Sequence, residues 1–113
     1  MDPSLFNSEF KLNGVSLSIE SLLLSSKTDN PDFFQFIKQW TSKSSTIELY
    51  TSGSTGLPKK IHISKSKMVV SAKRTASFLN LQPKDKALCC LPFDYIAGKM
   101  MIVRALVIGL DLY

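Results

Sequence analysis

The chain has 113 residues, 44% of them hydrophobic, and carries a formal net charge of +5 with a pI near 9.3. That is the size of one domain, with enough apolar side chains for a core and a positive surplus that favours anionic ligands. The two cysteines, Cys89 and Cys90, are neighbours in an apolar run, which argues against a disulfide framework or a metal-ligand spacing and points to a reducing, cytoplasmic setting. The N-terminus has no basic start followed by an apolar core, and Lys99 and Arg104 interrupt the apolar stretch near the C-terminus, so neither a signal peptide nor a membrane span is expected.

Residues 1–45 form a lead-in of hairpin and helices. Leu12-Asn13-Gly14-Val15 is a hairpin signal, with Phe10 before it and Val15, Leu17 and Ile19 alternating after it. Ser18 is placed to cap a short helix through Glu20 to Leu24, though the apolar run Leu22-Leu23-Leu24 is too short to decide helix from strand. The chain is polar from Lys27 to Asn30, after which Pro31 suits a first helical position. Phe33, Phe34, Ile37 and Trp40 then recur at helical spacing. A polar connector, Thr41 to Ser45, leads to a strand, Thr46 to Tyr50.

That strand delivers Tyr50-Thr51-Ser52-Gly53-Ser54-Thr55-Gly56-Leu57-Pro58-Lys59-Lys60. The segment offers hydroxyls and little-shielded backbone N–H groups. Gly53 and Gly56 can take positive φ, Pro58 stiffens the exit and Lys59 adds a positive charge, a composition suited to gripping phosphate. Two well-known phosphate loops do not fit. A Walker loop needs glycine before its lysine and a helix after it, whereas Pro58 holds that place here and Lys60-Ile61-His62-Ile63-Ser64 alternates like a strand. The dinucleotide fingerprint lacks its third glycine and its helix. The loop therefore joins strand to strand, with Ile61 and Ile63 on one face and His62 on the other. A solvated or structural role suits His62, since no nucleophilic Ser or Cys is set up beside it.

Ser64 or Ser66 can cap the next helix, whose buried stripe is expected to be Met68, Val69, Ala72, Ala76 and Leu79. Lys67, Lys73 and Arg74 lie largely off it and, with few aromatics interleaved, are expected to form a solvated face, not a nucleic-acid surface. Pro83-Lys84-Asp85 makes a turn, and Ala87-Leu88-Cys89-Cys90-Leu91 has the continuous apolar pattern of a strand covered on both faces. Met100 to Ile108 is apolar nearly all round except Arg104, and Gly109 ends that helix. Leu110 to Tyr113 resembles the start of another strand with no partner or closing element.

Thr51 to Lys59 resembles the signature loop of the adenylate-forming superfamily, which includes acyl-CoA synthetases, luciferases and peptide-synthetase adenylation domains. Where many members have glycine after the lysine, this chain has Lys60. Leu91-Pro92-Phe93-Asp94-Tyr95-Ile96-Ala97-Gly98 falls where those enzymes carry a Leu-Pro motif followed by a buried helix that shapes the acyl pocket. Tyr95 stands where many have histidine or an aromatic. The form Tyr95-Ile96-Ala97-Gly98-Lys99-Met100-Met101, with Arg104 further along, is similar to o-succinylbenzoate-CoA ligases of menaquinone biosynthesis.

The resemblance implies an α/β fold, the N-terminal part of the large domain of an adenylate-forming enzyme, with β-strands layered with helices. The AMP-binding domain would start within residues 46–113, carrying its phosphate loop at 50–60. It also implies an acid-CoA ligase using ATP, Mg²⁺ and coenzyme A. Thr51, Ser52, Gly53, Ser54, Thr55, Gly56 and Lys59 would hold the nucleotide phosphates, and Tyr95, Gly98, Lys99 and Arg104 would contact a carboxylic acid. For Lys99 a surface charge, and for Arg104 a snorkelling or ion-paired residue, are the plain alternatives. No catalytic residue or metal ligand is assigned. Such enzymes also carry an adenine- and metal-binding motif, a ribose-binding aspartate and a C-terminal domain with a catalytic lysine, none of which occurs before Tyr113. An N-terminal fragment, inactive alone, is therefore expected. The rival is a non-catalytic basic module that keeps a remnant phosphate loop to grip nucleotide or nucleic acid.

Overall fold

The computed structural model describes the chain apart from residues 1–2, 30, 53–55, 91–92 and 94–95, and describes the backbone alone at 3, 25–29, 51 and 52. After a 3₁₀ turn at Pro3–Leu5, the hairpin appears as predicted. Strands β1 (Lys11–Leu12) and β2 (Val15–Ser16) pair antiparallel, and the two residues between them, Asn13 (φ 52°) and Gly14 (φ 80°), both lie in the left-handed region that a tight hairpin turn requires.

Helix α1 (Ile19–Asp29) is longer than the expected Glu20 to Leu24, because nothing in the polar tail breaks a helix before Pro31. The Ser18 hydroxyl accepts from the Ser21 amide at 3.2 Å, as a cap should. Helix α2 (Pro31–Thr41) begins at its proline and buries Phe33, Phe36, Ile37 and Trp40. Phe36 thus replaces Phe34 on the predicted stripe. Phe34 is half-buried and lies under the Lys38 ammonium, 5.4 Å from its ring centre. The Trp40 indole donates to the Leu5 carbonyl at 2.9 Å and so ties α2 to the N-terminal turn.

Strands β3 (Thr46–Ser52) and β4 (Pro58–Ser64) form a separate two-stranded antiparallel sheet. Helix α3 (Lys65–Leu79) follows, with Ser64 as its cap and Asn80 closing it at φ 54°. Its buried residues are Lys65, Met68, Val69, Ala72 and Ala76. Leu79, expected on that stripe, is 58% exposed because the helix ends beside it and leaves the core.

Strand β5 (Lys86–Ala87), helix α4 (Ile96–Ile108) and strand β6 (Asp111–Leu112) complete the fold. Leu88 is 74% exposed and Cys90 is exposed, whereas Ala87 and Cys89 pack on the core. The expectation of a strand covered on both faces is therefore corrected. Alternation sends odd and even side chains to opposite faces, and among the described residues only one face is covered.

The last strand also differs from expectation, because β6 has partners on both sides. The sheet order is β2-β1-β6-β5, with β6 parallel to β1 and to β5. Lys11 pairs with Asp111 across a separation of one hundred residues, a pairing that local pattern cannot signal. Asp111, 6% exposed, accepts from the Gly14 amide at 2.9 Å and from the Tyr113 hydroxyl at 3.2 Å, which fastens the first hairpin to the last strand. The result is a mixed α/β arrangement whose core joins α2, α3 and α4 to both sheets.

Candidate functional site

The register of β3 against β4 decides what faces where. Ile47 pairs with Ile63 and Leu49 with Ile61, so these four share one face with Lys59, whose backbone partner is Thr51. Glu48 pairs with His62 and Tyr50 with Lys60 on the other. The first face packs on the core through Ile47 and Leu49 and, beyond the last apolar pair, carries Lys59 toward the loop. The second is outward. Lys60 forms an ion pair with Glu48 there, Tyr50 is 64% exposed, and His62 is exposed, in keeping with a solvated role. Two consecutive lysines thus point to opposite sides, and Lys60 is held back along the strand while Lys59 stands on the core side at the loop's exit.

Of the predicted loop residues, Gly53, Ser54 and Thr55 lie outside the described residues, as do the side chains of Thr51 and Ser52, whose backbone ends β3. Gly56 takes φ +84°, and a Cβ built there would meet nothing within 4 Å. Glycine is needed at that point for its backbone angle, and no described residue fills the space beside it.

Helix α4 holds the second group. Gly98 is buried in its first turn, Lys99 is half-buried, and Tyr95 lies outside the described residues. Arg104 is half-buried among Met100, Met101 and Ile108, which lie three or four residues from it and are half-buried too. Its Nη1 donates to the Met101 sulfur at 3.3 Å, while its buried Nε meets no acceptor, and among the described residues no carboxylate lies within ion-pair reach. Lys99 lies about 140° around the helix from Arg104, so the two do not share a face. Met100 and Met101 were not predicted as site residues. Their spacing from Arg104 was the available signal.

The sequence pattern of the family described as AMP-binding enzyme matches residues 14–113. This chain belongs to that family. A solved structure from Dyadobacter fermentans, described as an acyl-CoA synthetase (AMP-forming)/AMP-acid ligase II-like protein, is 35% identical with a TM-score of 0.72. The likeness covers 85% of this chain and 28% of that one. A 2-succinylbenzoate–CoA ligase of Listeria innocua is 32% identical over 76 residues, 67% of this chain and 16% of the relative. A very long-chain fatty acid transport protein of Cochliobolus heterostrophus is 33% identical over 61 residues, 54% of this chain and 10% of the relative. The chain therefore spans about a sixth of the length of the ligase it matches. Among the described residues, no helix is long and apolar enough to cross a membrane, and no three His, Cys, Asp or Glu side chains converge as metal ligands.

Proposed function

We propose that the protein acts in an AMP-forming acid-CoA ligase whose acid is o-succinylbenzoate. The observation that carries this reading is the strand-to-strand loop of an AMP-binding family member, with Lys59 on the core-side face at its exit and Gly56 at φ +84° within it. A carboxylate is a poor acyl donor because it would have to expel oxide. In the proposed reaction a carboxylate oxygen of the acid attacks the α-phosphorus of MgATP, and the bond to the bridging oxygen breaks to release pyrophosphate. The sulfur of coenzyme A then attacks the acyl carbon, AMP leaves, and the thiol proton passes to solvent.

In that scheme Thr51, Ser52, Ser54 and Thr55 donate hydroxyl hydrogen bonds to the β and γ phosphates. Gly53 and Gly56 supply backbone N–H groups and Lys59 supplies charge, all favouring the departing pyrophosphate. Mg²⁺ enters as part of the nucleotide substrate and neutralises its phosphate oxygens. The choice of acid rests on Arg104. A half-buried guanidinium with an unsatisfied Nε and two soft methionines beside it suits an amphiphilic acid whose second carboxylate meets the cation. The name of the Listeria relative supports the same choice.

The test is ATP–pyrophosphate exchange by the whole protein across a series of acids. Exchange is expected with o-succinylbenzoate and to be much weaker with benzoate, which lacks the second carboxylate. Arg104→Gln should raise KM for o-succinylbenzoate about tenfold or more while leaving benzoate unaffected. Exchange with no acid overturns the ligase reading. Exchange insensitive to Arg104 overturns the choice of substrate.

A further inference from the structure

The β3–β4 hairpin has a second end. Six residue steps from the glycine loop, about 20 Å along the strands, the start of β3 and the end of β4 meet the start of α3 around a cleft of about 590 Å³. Lys43, Lys65 and Lys73 line it together with Ser42, Ser64 and Ser66, and among the described residues no acidic side chain does. The volume is that of a small-molecule site.

Lys65 is the unusual member. It is 4% exposed, and its ammonium donates to the Ser42 carbonyl at 3.0 Å and to the Ser42 hydroxyl at 3.4 Å. Buried lysines ordinarily meet a carboxylate. The ion pairs seen among the described residues, Lys60–Glu48 and Lys84–Glu9, lie elsewhere, so two neutral oxygens of one serine are what this cation has. Burial accordingly pushes the Lys65 amine below its ordinary value. Lys43 and Lys73 are exposed at the rim and add like charge.

Helix α3 makes the imbalance worse. It contains no Asp or Glu from Lys65 to Leu79, and it opens with Lys65 and Lys67 at the end where a helix favours negative charge. The described residues therefore concentrate positive charge in a hydroxyl-rich cleft and place no acidic side chain in its lining. Leu5 and Val69 add an apolar wall to the same cleft, a surface that a bare inorganic ion would not use.

We propose that this cleft binds a small phosphate-bearing ligand, its phosphate oxygens against the lysine ammoniums and serine hydroxyls and its organic part against Leu5 and Val69. Three cations favour a multiply charged phosphate over a carboxylate, and lysine binds phosphate as a point charge. The Ser64 and Ser66 hydroxyls, 2.6 Å apart, share one hydrogen and leave the other to donate outward. The proposal is independent of the glycine loop and of the ligase reading.

The experiment is a titration of the ¹⁵N-labelled whole protein with inorganic pyrophosphate at constant ionic strength, following backbone amides. Movement is expected at Ser42–Thr46 and Ser64–Lys67 with its own saturation curve, separate from any at Gly56–Lys60. The double variant Lys43→Gln/Lys73→Gln, altered at exposed positions, should weaken the first curve about tenfold or more and leave the second unchanged. A phosphomonoester with an apolar tail should bind more tightly than phosphate itself. Movement at the glycine loop alone, a first curve unchanged in the double variant, or equal movement with chloride overturns the proposal. A response to an oligonucleotide and not to pyrophosphate also overturns it, in favour of a nucleic-acid face.

Discussion

Lys65 shows how a single buried charge couples to pH. Its amine is held below the ordinary value of 10.5, so the folded chain gives up that proton at a lower pH than the unfolded chain does. Below the folded value both states are protonated and the full burial penalty applies. Between the folded value and 10.5 the unfolded state binds more protons, so stability gains with rising pH, and the penalty is gone above that window. The wild type should therefore gain thermal stability relative to Lys65→Met as pH rises toward 10.5, measured as the difference between their melting temperatures at each pH. A constant difference would show that the amine is not desolvated. The sequence marked Lys67, Lys73 and Arg74 as charged residues but not Lys65, because a lysine beside a serine cap gives no local sign of burial. At the loop, Lys59→Ala should lower pyrophosphate exchange about a hundredfold while leaving the melting temperature within a few degrees, since Lys59 is exposed and stands beyond the apolar pairs.

Elements in this chain are held at a few named junctions. Trp40 anchors α2 by burying its whole ring and satisfying the Leu5 carbonyl. Trp40→Phe should cost about 1–3 kcal/mol through the orphaned carbonyl, and Trp40→Ala about 3–5 kcal/mol through the cavity, both measurable by urea unfolding. A negligible cost for Trp40→Phe would deny the hydrogen bond a role. Gly109 ends α4 at φ +85°, and an added Cβ would lie 2.7 Å from the Asn7 side chain, itself fixed by accepting from the Glu9 amide at 2.8 Å. Gly109→Ala should lower stability by about 1–3 kcal/mol. The hairpin turn, the Pro31 start, the β3–β4 pair and the Gly109 stop were all legible in sequence, because each depends on residues within a few positions of one another. The stripe of α2 was legible only approximately. Phe34 and Phe36 both fit a helical period, and contacts from other elements decided which one was buried.

For the whole molecule the governing feature is that the first hairpin and the last strand share a sheet. Removing residues 1–16 would take away β1, the parallel partner of β6, and the Leu5 carbonyl that Trp40 needs. Such a truncation should abolish cooperative thermal unfolding and raise dye binding to exposed apolar surface. A truncated chain that still melts cooperatively would show that β5 alone suffices to hold β6. The same long-range closure explains why Leu110 to Tyr113 read as an unpartnered strand, since one of its two partners, β1, lies about a hundred residues away.

By itself the sequence determined the strands on either side of the glycine- and hydroxyl-rich loop, the helix starts and stops, and membership of the AMP-binding enzyme family, because these rest on short-range backbone preferences and on a contiguous run of residue types. Tertiary structure alone decided that β6 is interior to its sheet and that Leu88 and Cys90 face outward. It also decided that, among the described residues, Arg104 meets no carboxylate and Lys65 is buried in a cleft that no acidic side chain lines. Each of those depends on what lies beside a residue in space, and a one-dimensional pattern records a side chain's polarity without recording its neighbours.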